Sequence, residues 1–141
     1  MLCWLLLRLE GELDMNEMSE NLKYAQTHEW AKLEEGQIVR IGITDFAQSE
    51  LGDIVFIGLP EVGRKVACRE QIAVVESVKT ASDLYSPVSG TVVAVNESLQ
   101  DEPEQVNENA FQAWIFCIKA DDPEELSQLM DAAAYQQMIE Q

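Results

Sequence analysis

The pattern of apolar and polar positions predicts a chain built mostly of short β-strands. "THEWAKLEEGQIVRIGIT" alternates on both sides of Glu35-Gly36, which is typical of a β-hairpin. Further apolar runs, each too short for a helix core and bounded by turn residues, are "DIVFIGLP", "IAVVESV", "TVVAV" and "WIFCIKA". We expect "IAVVESV" and "TVVAV" to be paired core strands, with Val75 buried between the layers of the fold.

Two segments have helical patterns. Asp45 is predicted to cap a short helix that ends at Gly52. "DDPEELSQLMDAAAYQQMIEQ" is predicted to be one C-terminal helix, with Asp122 as its cap and Pro123 in its first turn. Its apolar residues recur at helical spacing: Leu126, Leu129, Met130, Ala133 and Ala134. Short strands with flanking helices favour a mostly β fold, a small sandwich or barrel.

Composition narrows the classes of protein. The 141 residues correspond to one domain, and 47% hydrophobic residues are too many for a disordered acidic chain. A formal net charge of −17 argues against a nucleic-acid partner and against an anionic membrane surface. Cys3, Cys68 and Cys117 are far apart and form no C-x-x-C pair. They favour free thiols in a reducing compartment and predict no metal site.

The N-terminal segment requires a separate interpretation. "MLCWLLLRLE" has no basic residue before its apolar run, is too short to span a membrane, and is followed at once by acidic residues. It therefore matches no targeting class. We expect residues 1–17 to be a loosely ordered appendage and residues 18–141 to form a single domain, with Met1, Met15 or Met18 as the true start.

Lys79 lies within the stretch "VVESVKTASDLYSPVSG", between an apolar run and turn-rich residues. The pattern predicts that Lys79 is near the tip of a hairpin, with its amine in water, where an acylating enzyme could reach it. A lone lysine at such a position is more often a solvated surface residue without a special role, so the position alone does not decide between the two. Gly90 is predicted to have a positive φ at the turn that starts the returning strand.

The residues around this lysine resemble the lipoyl-lysine motif of the glycine cleavage system H protein family. The similarity extends over "YAQTHEW", "GITDFAQSELGDIVFIGLPEVG", "VESVKTASDLYSPVSG", "VVAVNESL", "PEQVN" and "WIFCIKA", in the family's order and spacing. It implies a lipoyl/biotinyl-type barrel-sandwich, a flattened two-sheet β-sandwich with short flanking helices and a C-terminal helical segment. Biotin carriers share the fold, but their lysine lies between methionines, whereas Val78 and Thr80 flank Lys79 here.

The resemblance implies a non-catalytic carrier with lipoate amide-linked to Lys79. In the family, the arm accepts an aminomethyl group from a pyridoxal-phosphate glycine decarboxylase and passes it to a tetrahydrofolate-dependent aminomethyltransferase. A dihydrolipoyl dehydrogenase then reoxidises the arm. An alternative within the family is a lipoate relay that donates lipoyl groups to 2-oxo-acid dehydrogenases. A monomer in the bacterial cytoplasm is expected.

The resemblance also implies roles for residues near the arm. Thr27, Glu29 and Asp83 match positions that line a cleft for the loaded arm, and a carboxylate such as Glu29 could pair there with a protonated amine. Glu76 and Ser77, next to Lys79, are expected to guide the lipoate ligase or octanoyltransferase. His28, the only histidine of the chain, is expected to be a packed strand residue.

Some features depart from the family pattern or point to other classes. Arg69 stands where a glycine is usual. The segment before Trp114 usually contains glycines, whereas here it reads Phe111-Gln112-Ala113 and is one residue shorter. A phosphopantetheine carrier of similar size would be helical and would need a serine in an Asp-Ser-Leu context. The serines here lack that context, and the strands argue against it.

Overall fold

The structure, a computed structural model, describes residues 22–140. The predicted appendage, residues 1–17, and the predicted domain boundary at residue 18 lie outside the described residues.

Strands are the commonest regular structure of the described chain, as the alternating patterns predict. They are β1 (Leu22–Tyr24), β2 (Glu29–Leu33), β3 (Ile38–Ile43), β4 (Ile54–Gly58), β5 (Lys65–Val66), β6 (Gln71–Ser77), β7 (Ala81–Tyr85), β8 (Gly90–Val95) and β9 (Phe116–Ala120). The helices are α1 (Asp45–Leu51), α2 (Ser98–Asp101), α3 (Gln105–Glu108) and α4 (Ala132–Ile139), with 3-10 segments at Glu35–Gln37 and Pro123–Gln128.

The strands form two antiparallel sheets. The larger has the order β1-β2-β3-β9-β8-β5, and the smaller has the order β4-β6-β7. Their inner faces enclose the main core, to which the smaller sheet contributes Ile57, Val75 and Leu84 and the larger sheet Ile41 and Ile118. The predicted two-sheet β-sandwich is confirmed.

A second apolar cluster lies on the outer face of the larger sheet. Its buried members are Leu22, Tyr24, Trp30 and Tyr135, so the C-terminal helix α4 covers this face. The rings of Tyr24 and Tyr135 stack with their centroids 4.8 Å apart. The C-terminal helix is thereby anchored to β1 and β2, at one end of the sandwich.

The predicted pairing of "IAVVESV" with "TVVAV" is wrong. Strand β6 pairs with β4 and β7, whereas β8 pairs with β9 and β5 in the other sheet. Both strands still turn apolar residues into the shared core, and Val75 is fully buried as expected. Alternation determines which face of a strand is buried, but it carries no information on the neighbouring strand.

The C-terminal segment is not one helix. Asp122 caps the 3-10 segment by accepting a hydrogen bond from the Glu124 N–H (3.0 Å), but the chain then becomes extended. There Met130 exchanges two backbone hydrogen bonds with Tyr24 (2.8 and 2.9 Å), and α4 begins afresh after Asp131. Ala133 and Ala134, which recur at helical spacing with the apolar residues before them, are exposed.

Two local predictions require correction. The cap of α1 is Thr44 and not Asp45, because the Thr44 hydroxyl accepts from the Ala47 N–H at 3.2 Å. Gly90 lacks a positive φ. It is required for close approach, since a Cβ there would lie 2.1 Å from the Lys119 carbonyl oxygen on β9.

Two further observations concern the described residues as a whole. Cys68 and Cys117 are free thiols. None of the helices in residues 22–140 is long and apolar enough to cross a membrane.

Candidate functional site

The hairpin between β6 and β7 places Lys79 at its tip, as predicted. Glu76 lies opposite Ala81, so the connection consists of Ser77, Val78, Lys79 and Thr80. Neither Val78 nor Lys79 has a positive φ, so the turn is not of the type I′ or II′ that most two-residue hairpin loops adopt.

The Ser77 side chain holds this turn together. Its Oγ accepts hydrogen bonds from the N–H groups of Lys79 (3.1 Å) and Thr80 (3.2 Å), in the place that a backbone carbonyl occupies in an ordinary β-turn. The Ser77 N–H donates to the Thr80 carbonyl at 2.7 Å. The hydroxyl of a short side chain therefore fixes the backbone that carries the lysine.

The tip is also docked onto the body of the protein. The Val78 N–H donates to the Asp53 carbonyl at 3.0 Å, just after α1. Lys79 is exposed and makes no ion pair with any of the described residues. Its primary amine is thus presented to solvent on a fixed turn, which is the arrangement that an acylating enzyme requires.

A cleft of about 360 Å³ lies at the other end of β7. Four chain segments that are distant in sequence enclose it. Its lining residues are Tyr24, Ala25, Gln26, Thr27, Glu29, Cys68, Arg69, Tyr85, Ser86, Pro87, Glu125, Gln128, Leu129 and Met130. Because β7 has five residues, the tip and the cleft are separated by about 17 Å along the strand.

Glu29 is the charged group buried in this cleft. Only 1% of the residue is exposed. One carboxylate oxygen accepts a hydrogen bond from the Thr27 hydroxyl, and the other accepts from the Tyr85 N–H at 3.0 Å. Burial raises the pKa of Glu29 to about 7, against the opposing effect of these hydrogen bonds. The carboxyl group can therefore exchange a proton near neutral pH.

The turn before Glu29 is supported by the C-terminal helix. His28 has a φ of +77°, and its Nδ1 lies 2.8 Å from the hydroxyl of Tyr135 on α4. The same hydroxyl lies 2.7 Å from the Thr44 hydroxyl. His28 is thus a half-buried turn residue and not the packed strand residue predicted from the sequence. Burial lowers its pKa, with Glu50 opposing that shift.

The predicted site residues lie in three places: in the cleft, at the hairpin tip, and on β7 between the two. Thr27 and Glu29 line the cleft together. Glu76, Ser77, Val78 and Thr80 surround Lys79 at the tip. Asp83 does not line the cleft; it is exposed midway along β7, opposite Val74, between the tip and the cleft.

Sequence reasoning missed several cleft residues. Tyr85 and Tyr24 were not singled out, although aromatic residues next to turns are common in ligand sites. Arg69 was noted only as a departure from a glycine, and it has a φ of +73° beside the cleft. The glycine usual at this position therefore has a structural reason. Nothing local in the sequence indicates that Glu125 and Met130 reach the same cavity.

A nucleophile–base dyad would need a histidine beside a serine or cysteine, and His28 contacts Tyr135 instead. Among residues 22–140, no three His, Cys, Asp or Glu side chains converge in a way that could hold a metal ion.

The described residues form a two-sheet β-sandwich that presents Lys79 on a tight hairpin turn. The family model described as "Glycine cleavage H-protein" matches residues 22–141, and the chain belongs to this family.

Individual relatives agree with this membership. The chain is 50% identical over 126 residues to glycine cleavage system H protein 2 of Pseudomonas aeruginosa, covering 89% of this chain and 98% of the relative. It is 56% identical over 123 residues to the glycine cleavage system H protein of Anoxybacillus flavithermus, covering 86% and 96% respectively. The crystal structure of the H protein from Mycobacterium marinum is similar, with a TM-score of 0.79 and 34% identity over 86% of this chain and 98% of that one.

Proposed function

We propose that this chain is the lipoyl carrier of a glycine cleavage system, with lipoate amide-linked to Lys79. The observation that carries the proposal is the exposed Lys79 amine on the fixed β6–β7 turn, in a chain that belongs to the glycine cleavage H-protein family. When attached, the lipoyl group would supply the disulfide and dithiol chemistry of the aminomethyl transfer.

The residues of the chain fit such a group. The amine of Lys79 has no ion pair with the described residues, so acylation would break none. Strand β7 lies at the edge of the smaller sheet and leads from the tip towards the cleft, with Asp83 exposed at its middle. An extended side chain at Lys79 would therefore have a path along this edge.

The cleft has the chemistry to hold an amine at the end of that path. A protonated amine entering it would pair with the Glu29 carboxylate, which Thr27 and the Tyr85 N–H orient. The apolar atoms of Tyr24, Leu129 and Met130 would exclude water from a labile adduct. Glu29 would thus hold the amine of the group attached to the lipoyl arm, and it would take no part in forming or breaking covalent bonds.

The proposed partners are the enzymes that load, unload and regenerate such a carrier. They are a pyridoxal-phosphate glycine decarboxylase, a tetrahydrofolate-dependent aminomethyltransferase, a dihydrolipoyl dehydrogenase, and a lipoate ligase or octanoyltransferase for attachment. We expect the lipoate ligase or octanoyltransferase to recognise Glu76 and Ser77, because these residues are close to Lys79 on the turn.

Substitution of Lys79 tests the proposal. Lys79→Arg keeps the positive charge, but a guanidinium is too poor a nucleophile to be acylated. After incubation of the unmodified protein with lipoate ligase, ATP and lipoic acid, mass spectrometry of peptides should find one lipoyl group on wild type, at Lys79, and none on the variant. The variant should also support no glycine-dependent CO2 exchange with the decarboxylase.

Lys65→Arg is the matched control, because Lys65 is another exposed lysine, on β5. It should be lipoylated as fully as wild type. Lipoylation of Lys79→Arg, or CO2 exchange by it, would show that Lys79 is not the attachment site.

A further inference from the structure

A second cavity, of about 370 Å³, lies on the outer face of the larger sheet. It shares no lining residue with the cleft that contains Glu29. Its walls include three aromatic side chains, Trp30, Phe111 and Trp114, and two cationic ones, Lys32 and Arg40. The chain has nine basic residues against 26 acidic ones, so the meeting of two cations in one cavity requires an explanation.

The two cations lie directly opposite each other. Lys32 on β2 faces Arg40 on β3 in the antiparallel register, so both side chains project from the same face of the sheet. Like charges in this position destabilise a strand pair. Lys32 has no ion pair with the described residues, and Arg40 has one long contact of 3.4 Å to Glu34. That contact is partly exposed and therefore contributes little.

The guanidinium of Arg40 has further unused hydrogen-bonding capacity. Its Nε is buried and has no hydrogen-bond partner among the described residues. The group lies 5.4 Å from the centroid of the Trp114 ring, at cation–π distance. Arg40 is thus positioned by an aromatic ring, while its charge lacks a strong anionic partner.

The aromatic walls are fixed before any ligand arrives. The Trp30 indole lies against Gly42, where a Cβ would come within 2.6 Å of the ring. Its Nε1 donates to the Ala110 carbonyl at 3.0 Å, and Phe111 packs beside it with ring centroids 6.5 Å apart. Trp30 is only 2% exposed and forms the floor of the cavity, so the half-buried rings of Phe111 and Trp114 are the ones that offer a surface for stacking.

We propose that this cavity binds small organic anions that carry a carboxylate on a flat aromatic ring. The carboxylate would pair with Lys32 and Arg40 and relieve their mutual repulsion, and the ring would pack against the half-buried rings of Phe111 and Trp114, above the buried Trp30. The volume lies within the range of small-molecule sites. A cationic ligand would be repelled, and an aliphatic acid would lack the stacking contact.

The probe for this site is 2-naphthoate, compared with the neutral 2-naphthamide of the same shape. Binding is measured on the full chain through the three indole N–H signals in NMR spectra, with those of Trp4 and Trp114 assigned from Trp4→Phe and Trp114→Phe and the remaining one belonging to Trp30. We expect saturable shifts at Trp30 and Trp114 and an affinity for naphthoate about ten-fold above that for the amide. Equal affinity for the two compounds, or shifts elsewhere alone, would overturn the proposal.

Substitutions of single lysines test which positive charge contributes to naphthoate binding. Lys32→Gln should weaken naphthoate binding about ten-fold, whereas Lys119→Gln, which removes an exposed lysine outside the cavity, should change it less than two-fold. Equal weakening in both would indicate a general charge effect and would refute a built site.

A second variant keeps the test independent of the folding of Lys32→Gln. Gln112→Glu places a carboxylate at an exposed position in the cavity wall. This carboxylate should pair with Lys32 and Arg40 in place of the ligand and so abolish naphthoate binding. Unchanged binding by this variant would contradict the proposal. Lys79→Arg should bind naphthoate as wild type does, so the outcome is separate from that of the lipoyl carrier test.

Discussion

The carboxyl group of Glu29 is almost completely buried. Its titration should therefore make the free energy of unfolding depend on pH. The folded state holds the Glu29 proton more tightly than the unfolded chain, with a pKa of about 7 against an ordinary value of 4.5. Unfolding therefore releases a proton between these two pH values, and the free energy of unfolding falls as the pH rises through this window. The contribution present below the window and lost above it is about 3 kcal/mol.

Glu29→Gln tests this contribution. The amide can accept from the Tyr85 N–H and donate to the Thr27 hydroxyl, but it cannot ionise. Urea unfolding at about pH 5 and about pH 8 should show wild type losing more stability than the variant by up to about 3 kcal/mol. Glu61→Gln, at an exposed position, should behave as wild type. Parallel pH profiles for wild type and Glu29→Gln would mean that Glu29 titrates as an ordinary carboxyl.

Arg69 illustrates how a single backbone angle connects sequence and structure. Its φ of +73° is one that glycine adopts at little cost and other residues adopt rarely. The resemblance implies a glycine at this position, which fits the left-handed backbone. Here the Arg69 N–H donates to the Ser86 carbonyl at 2.6 Å in that conformation.

Among the structural elements, the β6–β7 hairpin is the one on which the proposed carrier role depends. Ser77→Ala removes the hydroxyl that accepts from two N–H groups of the turn, both of which can then bond to water. The cost in stability should be about 1 kcal/mol or less. The lysine would lose its fixed orientation, so kcat/KM for lipoylation by the ligase should fall about three- to ten-fold.

Two matched variants separate the hydroxyl of the turn from general effects. Ser77→Thr retains the hydroxyl and should recover most of the lipoylation rate. Ser82→Ala removes a hydroxyl from β7 outside the turn and should leave the rate unchanged. A wild-type rate for Ser77→Ala would show that the ligase orders the turn by itself.

The C-terminal segment shows where element prediction fails. Asp122, Pro123 and the apolar spacing all favour a continuous helix, and the start at Pro123 is correct. The helix is interrupted because the backbone groups of Met130 pair with those of Tyr24, more than a hundred residues away in the chain. Local propensity is a weak preference that such tertiary hydrogen bonds override.

For the molecule as a whole, stability depends on a core shared by two sheets. Val75→Asp would bury a carboxylate with no partner at a fully buried position, at a cost of several kcal/mol, comparable with the total stability of a domain of this size. We expect loss of soluble yield, or a large fall in the unfolding temperature. Val78→Asp, the same substitution at a residue that is 67% exposed, should unfold near the wild-type temperature. Similar unfolding temperatures for both variants would contradict the burial of Val75.

The amino-acid sequence by itself determined strands β2, β3, β4, β6, β8 and β9, the burial of Val75, the hairpin tip at Lys79 and the family resemblance. These features depend on residues close together in the chain: alternation shows which face of a strand is apolar, and turn residues mark where it ends. The family resemblance adds Glu29 and Thr27 to the cleft.

Only the tertiary structure decided the partner of each strand and the composition of both cavities. Strands β6 and β8 have similar patterns and could pair equally well by alternation, yet the hairpin closes β6 onto β7 and leaves β8 to the other sheet. His28 and Tyr135, which are 107 positions apart in the chain, are in contact. Lys32 and Arg40 line the same cavity as Trp114, which is also distant from them in the chain. Such contacts depend on the simultaneous packing of the whole core, which no local pattern of residues encodes.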